Sequence, residues 1–453
     1  MLKLQDRLYG KIELPDIAWD LVETCPVLLR LREVRMSNIP FLTHPSFANV
    51  DRYEHSVGVA HLAWRWARSR KLDQDSSIAL TLAALYHDGA TPGYGHLFEE
   101  FLSRFGFDHE RALGQLLEGS GETPGGYAAQ VFLGRSCKLA SILPRPTSSS
   151  SCLTRIGIAD LAAGKGSLGC LIKGKMDFDN IDNVIRAASA MGLMTEKDLH
   201  PYTVADAFEY EAGEVRIDPS KKFGLAAWGE IRQLLYDKIL NNSYEFRAQS
   251  ALKWAIEECA LKQPRLCADN AWCLTDPMLT FEYLRREPFP RALVDCVRLG
   301  NPPELLCSAW LEDLSPLLGT NGEKRIAALR AEISSATNLE VYVNYYIDKR
   351  RRSLELPSSR QPALKFEEGD FDDLRLGRQQ IPSGIVGVIG VSRVQRVALE
   401  GTHGEALTGR LSVNEHEFSS IFERHFTPPP RSVFIGWVGT QQQVPQPELF
   451  PVS

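Results

Sequence analysis

Apolar residues recur every three or four positions along most of the first 335 residues, which is the spacing of amphipathic helices. Helix start and stop signals support this interpretation, since Asp75, Ser76 and Ser77 precede one apolar run and Gly192 follows another. The pattern predicts helices over residues 54–70, 76–88, 97–104, 109–118, 178–192, 225–240 and 245–262.

The pattern changes in two stretches of the chain. Between Gly119 and Ser151 the sequence is rich in Gly, Pro and Ser, which predicts a long excursion with a mobile tip. After about Leu339, β-branched and apolar runs at 341–346 and 383–391 predict strands. We therefore predict a mainly α fold with a helical core over 1–339, a smaller C-terminal α+β lobe over 340–440 and a flexible tail over 441–453.

Composition and charge exclude several classes of protein. The 51 Lys and Arg residues are outnumbered by 57 Asp and Glu, and the net charge of −6 disfavours a protein that coats nucleic acid regardless of sequence. No apolar run approaches the roughly 20 residues that span a bilayer, and the first residues lack the apolar core of a secretory signal. Nine cysteines without a C-x-x-C pair predict reduced thiols rather than a disulfide framework or a structural zinc site. Together these features predict a cytoplasmic protein without a membrane partner.

Two imidazoles and two carboxylates lie at the ends of predicted helices. His55 opens one helix, His87 and Asp88 close a second, and Asp179 lies in the first turn of a third, with Asp182 one turn further. Imidazole and carboxylate are ligands of divalent first-row metals, and helices in a bundle can bring their ends to one point. Taken singly, such residues are more often core histidines and helix caps. The spacing alone therefore leaves both interpretations open.

Short motifs surround these residues and continue beyond them. In chain order they are Tyr9-Gly-Lys-Ile-Glu-Leu-Pro, Cys25-Pro-Val-Leu-Leu-Arg-Leu-Arg, Asp51-Arg-Tyr-Glu-His-Ser-Val-Gly-Val, Asp177-Phe-Asp-Asn-Ile-Asp-Asn and Leu274-Thr-Asp-Pro. On these motifs the chain resembles the HD-domain phosphohydrolases, in particular the branch of the bacterial dGTP triphosphohydrolases and the sterile-alpha-motif HD-domain dNTP triphosphohydrolase. The resemblance is specific over residues 1–110 and 172–193, and it implies that the helical core is an HD-domain bundle.

The resemblance implies roles for the residues that match the family's motifs. The ligands of one divalent metal ion (Fe, Mn, Zn, Ni, Co or Mg) would be His55, His87, Asp88 and Asp179. Catalytic roles near the phosphates fall to His96, to its acidic partner Glu99 and to a second histidine, His109. Contacts with the substrate fall to Arg52, Asp182, Asn183 and Arg186.

The residue types suit these roles. A histidine that is oriented by a carboxylate one turn later, as His96 is by Glu99, can protonate a leaving oxygen near neutral pH. An arginine such as Arg52 offers forked donors to a phosphate. A second interpretation stays open for His96 and His109, which also fit surface residues on a loop, with Asp108 as an ordinary helix cap.

Four positions depart from the family's pattern. Met36 stands where the dNTP-cleaving relatives have a glutamine, Asn183 replaces a tyrosine, and Ala187 replaces an acid. These changes remove polar partners that a deoxyribose hydroxyl would need, and discrimination between sugars depends on such partners. Thr91 replaces a histidine. The metal centre is therefore better supported by the sequence than the sugar pocket is.

The resulting functional prediction is hydrolysis of deoxynucleoside triphosphates at the α-phosphorus, which gives nucleoside and triphosphate. Three other interpretations stay open. The same centre would serve a phosphodiesterase or nuclease acting on another nucleotide or on a single-stranded nucleic-acid end. A di-iron oxygenase would need further ligands from His61, His96 or His109. A nucleotide sensor without catalysis would use the pocket for binding alone.

Family analogy extends the prediction to partners. It implies a homo-oligomer and a nucleotide effector, for which the charged run at 348–352 is a candidate contact. Residues Gln446–Phe450 resemble the short peptides that dock in bacterial sliding clamps. Depletion of dNTPs in antiviral defence and housekeeping of nucleotide pools both fit the predicted activity.

Overall fold

A computed structural model describes residues 4–37, 43–118, 143, 152–174, 176–194, 199–268, 271–348, 382–392, 396, 415–426, 430 and 433–435. The predicted excursion between Gly119 and Ser151, apart from Leu143, lies outside these residues, as do positions 349–352, the tail and its Gln446–Phe450 peptide. The protein is mainly α, as predicted. No helix in the described ranges combines the length and the apolar character that a membrane span requires.

The chain divides into two compact units. Of the described residues, one unit comprises those up to Leu235 and from Ala260 to Tyr283, and the other comprises those from Tyr236 to Cys259 and from Leu284 onward. The domain boundaries expected from the sequence stay a prediction.

The first unit is built from helices and two short hairpins. Its helices are α1 (Asp16–Thr24), α2 (Pro26–Arg30), α3 (Pro45–Ala48), α4 (Arg52–Ser69), α5 (Gln74–Tyr86), α6 (His96–Ser103), α7 (His109–Glu118), α8 (Arg155–Ala162), α9 (Gly166–Gly169), α10 (Phe178–Ala190), α11 (Pro201–Ala205) and most of α12 (Lys222–Leu240). Its antiparallel hairpins are β1 (Gln5–Asp6) with β2 (Gly10–Lys11), and β3 (Phe208–Glu211) with β4 (Glu214–Ile217). A short helix, α14 (Asp276–Met278), completes it and continues into one π-helical turn, Leu279–Tyr283.

Aspartate caps set the starts of the three helices that carry the candidate ligands. Asp51 Oδ1 accepts the Glu54 N–H at 2.7 Å and begins α4, and Asp177 Oδ1 accepts the Asn180 N–H at 2.6 Å and begins α10. Helix α5 starts at Gln74, two residues earlier than predicted, because Asp73 rather than Asp75 is its cap.

The second unit is a four-stranded antiparallel sheet with helices. It contains most of α13 (Ser243–Lys262), α15 (Pro288–Arg298), β5 (Glu304–Leu311), α16 (Gly319–Thr337), β6 (Leu339–Ile347), β7 (Gly384–Ser392), α17 (Glu415–His425) and β8 (Val433–Ile435). The strand order is β6-β7-β5-β8, and α16 and α17 pack with the sheet in one core that includes Leu329, Val388 and Phe422. The strands predicted at 341–346 and 383–391 are confirmed as β6 and β7.

Strand β5 lies in a stretch that the sequence pattern assigned mainly to helices. Seven of its eight residues are buried because β5 sits between β7 and β8. A strand that is buried on both faces shows a continuous apolar run instead of alternation, and such a run cannot be distinguished from a buried helix by its period.

Gly387 in β7 should be intolerant of a side chain. A Cβ at this position would lie 2.6 Å from Cε1 of Phe246 in α13, so we expect Gly387→Ala to lower the free energy of unfolding by about 1–3 kcal/mol through overpacking. In the control, Gly114→Ala in α7, a Cβ meets nothing within 4 Å, and alanine should stabilise the helix by about 0.5–1 kcal/mol. Urea denaturation of both variants checks this, and equal midpoints would contradict it.

Candidate metal centre

Helices α4, α5 and α10 bring the four candidate ligands together. His55 lies in the first turn of α4, which packs against both other helices. His87 and Asp88 follow the last residue of α5, and Asp179 lies in the first turn of α10. Helix ends that meet in this way place side chains from distant parts of the chain around one point.

The donor atoms converge closely. The Nε2 atoms of His55 and His87 are 3.3 Å apart, and Asp179 Oδ1 lies 2.9 Å from the first and 3.6 Å from the second. Asp88 Oδ2 lies 3.9 Å from Nε2 of His55 and 3.7 Å from Nε2 of His87. The side chain of Asp179 is 34% exposed, whereas the other three are nearly buried, so the centre opens to solvent at Asp179.

This donor set fits a divalent cation. Imidazole and carboxylate are common ligands of first-row metals. His55, His87 and Asp88 offer donor atoms within 4.8 Å of one another, and Asp179, whose Oδ1 lies 2.9 Å from His55 Nε2, would complete the set that holds the ion. The charges of the metal-free centre agree with this. Burial alone lowers the pKa of His55, but hydrogen bonds to Asp179 and Asp182 outweigh burial and raise that pKa to about 10. The pKa of His87 is raised for a similar reason, since burial is outweighed by Asp88 and Asp179. In the metal-free centre, protonation of the imidazoles is therefore favoured by the same carboxylates that would attract a cation.

Hydrogen bonds behind the two histidines aim both Nε2 atoms at the centre. Asp182 Oδ1 lies 2.7 Å from His55 Nδ1, and the pKa of Asp182 is far below its usual range because Arg186 outweighs the effect of burial. The Nδ1 of His87 donates to the carbonyl oxygen of Ala84 at 2.7 Å. Each ring therefore carries a hydrogen on Nδ1, which leaves the Nε2 lone pair available to a metal when the ring is neutral.

Asp88 is held through both of its oxygens. Arg52 Nη1 donates to Oδ2 at 2.8 Å, and the Thr91 hydroxyl donates to Oδ1 at 2.8 Å. Thr91 is the position where the family has a histidine, and here its hydroxyl orients a candidate ligand. Burial alone would raise the pKa of Asp88, but Arg52 and the neighbouring histidines keep it well below its ordinary value.

Arg52 lies at the edge of the centre and is almost fully buried. Its Nε is buried and has no hydrogen-bond partner among the described residues, whereas its Nη1 donates to Asp88. Burial lowers the pKa of Arg52, but Asp88, Asp179 and Glu99 outweigh this effect and raise it. The predicted contact of Arg52 with a phosphate stays a prediction that this geometry accommodates.

Glu99 joins the two other histidines that were assigned to catalysis. Its Oε2 lies 2.8 Å from His96 Nδ1, and its Oε1 lies 2.5 Å from His109 Nδ1. These hydrogen bonds lower the pKa of Glu99 well below its ordinary value, although burial acts in the opposite direction. The side chain of His96 is 66% exposed. Asp108 caps α7 by accepting the Arg111 N–H, so the cap and the contact of His109 with Glu99 coexist.

The residues that the resemblance assigned to substrate contact differ in their exposure to solvent. Asp182 and Arg186 are fully buried and pair with each other behind His55, out of contact with solvent. Asn183 is partly exposed. The role of these three residues in substrate binding stays a prediction, and the contacts of the buried pair support a role in holding His55.

His61, the candidate further ligand of a di-iron centre, forms hydrogen bonds with other groups. Its Nδ1 accepts the Glu13 N–H, and its Nε2 lies beside the Tyr202 hydroxyl.

Sequence reasoning missed the residues that shape the loop before His96. Arg30, fully buried, donates to the carbonyl oxygens of Gly89 at 3.1 Å and Thr91 at 2.6 Å. Asp276 Oδ1 accepts the Tyr94 N–H at 2.7 Å, and Tyr94 has a left-handed backbone with φ of +56°. Arg30 and Asp276 lie in motifs that carried the family resemblance, Cys25-Pro-Val-Leu-Leu-Arg and Leu274-Thr-Asp-Pro. The motifs signalled importance without showing which contact they make.

Binding of a metal to the metal-free protein should release protons. Since the pKa of His55 is about 10, this ring holds a proton near neutral pH that a cation must displace, and the raised pKa of His87 acts in the same direction. We therefore expect the affinity for Mn²⁺ to fall as the pH is lowered from 8 to 6. Calorimetry in two buffers of different ionisation enthalpy measures the released protons, and identical heats in both buffers would contradict this prediction.

A family model of the HD domain matches residues 52–122, which include His55, His87 and Asp88. Residues 52–122 therefore match an HD domain, and the resemblance to the HD-domain phosphohydrolases predicted from the motifs is confirmed. A protein from Dictyostelium discoideum, a deoxynucleoside triphosphate triphosphohydrolase SAMHD1 homolog, is 29% identical over 119 residues, which are 24% of this chain and 23% of that protein. The chain thus matches less than a quarter of the length of this relative.

Solved structures agree on the fold. A hypothetical protein from Aquifex aeolicus superposes with a TM-score of 0.59 at 17% identity, over 88% of this chain and 98% of that one. A phosphohydrolase from Bacteroides thetaiotaomicron superposes with a TM-score of 0.56 at 16% identity, over 86% of this chain and 100% of that one. At these identities the similarity establishes the fold alone.

Proposed function

We propose that this HD-domain protein is a metal-dependent phosphohydrolase that cleaves deoxynucleoside triphosphates at the α-phosphorus. The observation that carries the proposal is the convergence of two imidazoles and two carboxylates beside a buried arginine that pairs with one of those carboxylates. The name of the Dictyostelium relative supports the substrate class.

The residues of the chain divide the chemistry between them. A divalent ion held by the four ligands would neutralise phosphoryl charge and supply an activated water. In the reaction a water oxygen bonds to the α-phosphorus, and the bond from that phosphorus to the nucleoside 5′-oxygen breaks. His96, oriented by Glu99, donates the proton that the leaving 5′-oxygen needs. The Arg52 guanidinium, which Asp88 holds beside the centre, would contribute positive charge next to a phosphate oxygen. The products are the nucleoside and triphosphate.

A second substrate class is favoured by the residues at the sugar positions. Met36 and Ala187 are buried and apolar where the dNTP-cleaving relatives have polar residues. A site without these partners discriminates less strongly between sugars. Another nucleotide, or the phosphodiester of a single-stranded nucleic-acid end, is therefore the alternative substrate. A homo-oligomer, a nucleotide effector, a sliding-clamp partner, a cytoplasmic location and an antiviral role stay predictions.

One experiment separates these substrates. The purified protein, with its metal content measured, is incubated with a panel of dNTPs and ribonucleotides, and the products are resolved by chromatography. A labelled single-stranded oligonucleotide is analysed in parallel by electrophoresis. Nucleoside and triphosphate from a dNTP support the proposal. Shortened oligonucleotide with intact dNTPs would replace it with the nuclease, and no product from any substrate in the metal-loaded protein would refute hydrolysis.

A further inference from the structure

We propose that the N-terminal β1–β2 hairpin is part of the metal centre, and that Tyr9 and Asp6 are positioning residues that hold His55 through Asp182. This inference rests on the proposed function only in taking His55 as a metal ligand. The motif that begins at Tyr9 carried the family resemblance but had no predicted role. The hairpin precedes the matched HD domain by about forty residues, so sequence position does not suggest the connection.

Asp182 connects Tyr9 with His55. Its Oδ1 accepts from His55 Nδ1 at 2.7 Å and from Arg186 Nε at 2.8 Å. Its Oδ2 accepts from the Tyr9 hydroxyl at 2.8 Å and from Arg186 Nη2 at 2.8 Å. Four donors thus occupy the two oxygens of a fully buried carboxylate. Its orientation, and with it the orientation of the His55 ring, is set by all four contacts.

Asp6 couples the shape of the hairpin to the same network. Its Oδ1 accepts the backbone N–H groups of Leu8 at 2.7 Å and Tyr9 at 3.1 Å, which fixes the turn that carries Tyr9. Its Oδ2 accepts from Arg186 Nη1 at 2.8 Å, and Glu54 accepts from the same nitrogen at 2.8 Å. One carboxylate therefore shapes the turn and places the guanidinium that holds Asp182.

Gly58 leaves the space that this network occupies. It lies three residues after His55 in α4, and a Cβ at this position would fall within 3.0 Å of Arg186 Nη2, Asp182 Oδ2 and Tyr9 Cε2. Helix α4 therefore has no side chain at the position where Tyr9 and the Asp182–Arg186 ion pair pack against it. This gives a physical reason for a glycine in the Glu54-His55-Ser-Val-Gly58 motif.

The hairpin is also attached by contacts that do not involve Asp182. The Glu13 N–H donates to His61 Nδ1 at 2.9 Å, and His200 Nε2 donates to the carbonyl oxygen of Leu8 at 2.9 Å. The Tyr202 hydroxyl lies 2.6 Å from His61 Nε2. Removing the hydroxyl of Tyr9 should therefore leave the hairpin in place, and Tyr202 offers a matched control in the same aromatic cluster.

The test compares Tyr9→Phe with Tyr202→Phe in the metal-free full-length protein. Each variant removes one tyrosine hydroxyl from a side-chain hydrogen bond, but only that of Tyr9 bonds to Asp182. Titration with Mn²⁺, followed by the electron paramagnetic resonance of the free ion, gives the dissociation constant. We expect it to rise about 10-fold in Tyr9→Phe and to stay within about twofold of wild type in Tyr202→Phe, as for groups that orient a metal ligand. Thermal unfolding in chelator should be the same for both variants.

The outcomes are separable from those of the hydrolysis assay. Equal Mn²⁺ affinity in wild type and Tyr9→Phe would overturn the inference and leave the proposed function standing. Equal weakening in both variants would show that the hairpin acts only through packing, which also overturns the inference. Weakened Mn²⁺ binding in Tyr9→Phe alone would support it even if the wild type cleaved no nucleotide. Gly58→Ala should weaken Mn²⁺ binding as well, because its Cβ displaces the same atoms.

Discussion

Replacing Asp88 by asparagine is expected to abolish metal binding and to lower hydrolysis by about 10³-fold or more, since a bound cation supplies several kcal/mol of transition-state stabilisation. Asp88 is the carboxylate nearest to Arg52, and its charge lies within 4 Å of both candidate histidine ligands. Asparagine keeps the shape of the side chain but removes the negative charge. Metal analysis after dialysis and a product assay on the preferred nucleotide measure the two effects.

The control for Asp88→Asn is Asp160→Asn. Asp160 is an exposed carboxylate of α8 that pairs with Lys165 at 2.9 Å, and such surface pairs contribute little to stability. This control should keep the metal content and activity of the wild type. Circular dichroism of Asp88→Asn should show the wild-type helix content, because the three helices are held by their own caps and cores. Activity of Asp88→Asn within a few-fold of wild type would show that the centre is not the catalytic site.

Replacing His96 by alanine is expected to reduce kcat by about 10²- to 10⁴-fold while leaving the bound metal unchanged, because general acid catalysis contributes an effect of that size. His96 does not belong to the group of donors at the centre, and its imidazole is held by Glu99 at 2.8 Å. The loss should therefore appear in kcat and not in the metal content. Steady-state kinetics with metal analysis of the same samples checks both quantities.

The charge of Glu99 bears on the pH dependence of this loss. The pKa of Glu99 is held well below its usual value by His109 and His96, so this carboxylate stays ionised throughout a neutral assay range. The Glu99 carboxylate should therefore keep its contact with His96 over that range, and the loss of kcat in His96→Ala should persist throughout it. His416→Ala, at an exposed histidine of α17, serves as the control. A variant that loses metal together with activity would assign His96 to binding instead.

The local part of the site was predictable from the sequence, because capping and helical periodicity depend on neighbouring residues. The apolar period predicted helix starts at residues 54 and 178, close to the observed starts of α4 and α10 after Asp51 and Asp177, whereas the start of α5 was predicted two residues too late. These signals put His55 and Asp179 in first turns before any contact between them is known. The mainly α fold followed from the same period, which repeats along most of the helical part of the chain.

The long-range part was not predictable from local pattern. Tyr9 and Asp182 are separated by 173 positions, and nothing near either residue indicates that they bond. The resemblance assigned Arg186 to substrate contact, and nothing near it in the sequence indicated that it would be fully buried with three carboxylates as partners. The run that forms β5 has no distinguishing period, because nearly all of its residues are buried. Its two neighbouring strands also come from far along the chain, so nothing near β5 in the sequence indicates its pairing.

Strand β5 has a consequence for synthesis on the ribosome. Its partners β7 and β8 begin at Gly384 and Val433, whereas β5 itself is complete at Leu311. At a translation rate of about 5–20 residues per second, an apolar strand with two unsatisfied edges waits several seconds for its neighbours. The four candidate ligands, by contrast, have all been synthesised by the time the ribosome has added Asp179. Nascent chains should therefore acquire the metal-binding fold early and depend on chaperones until the sheet closes.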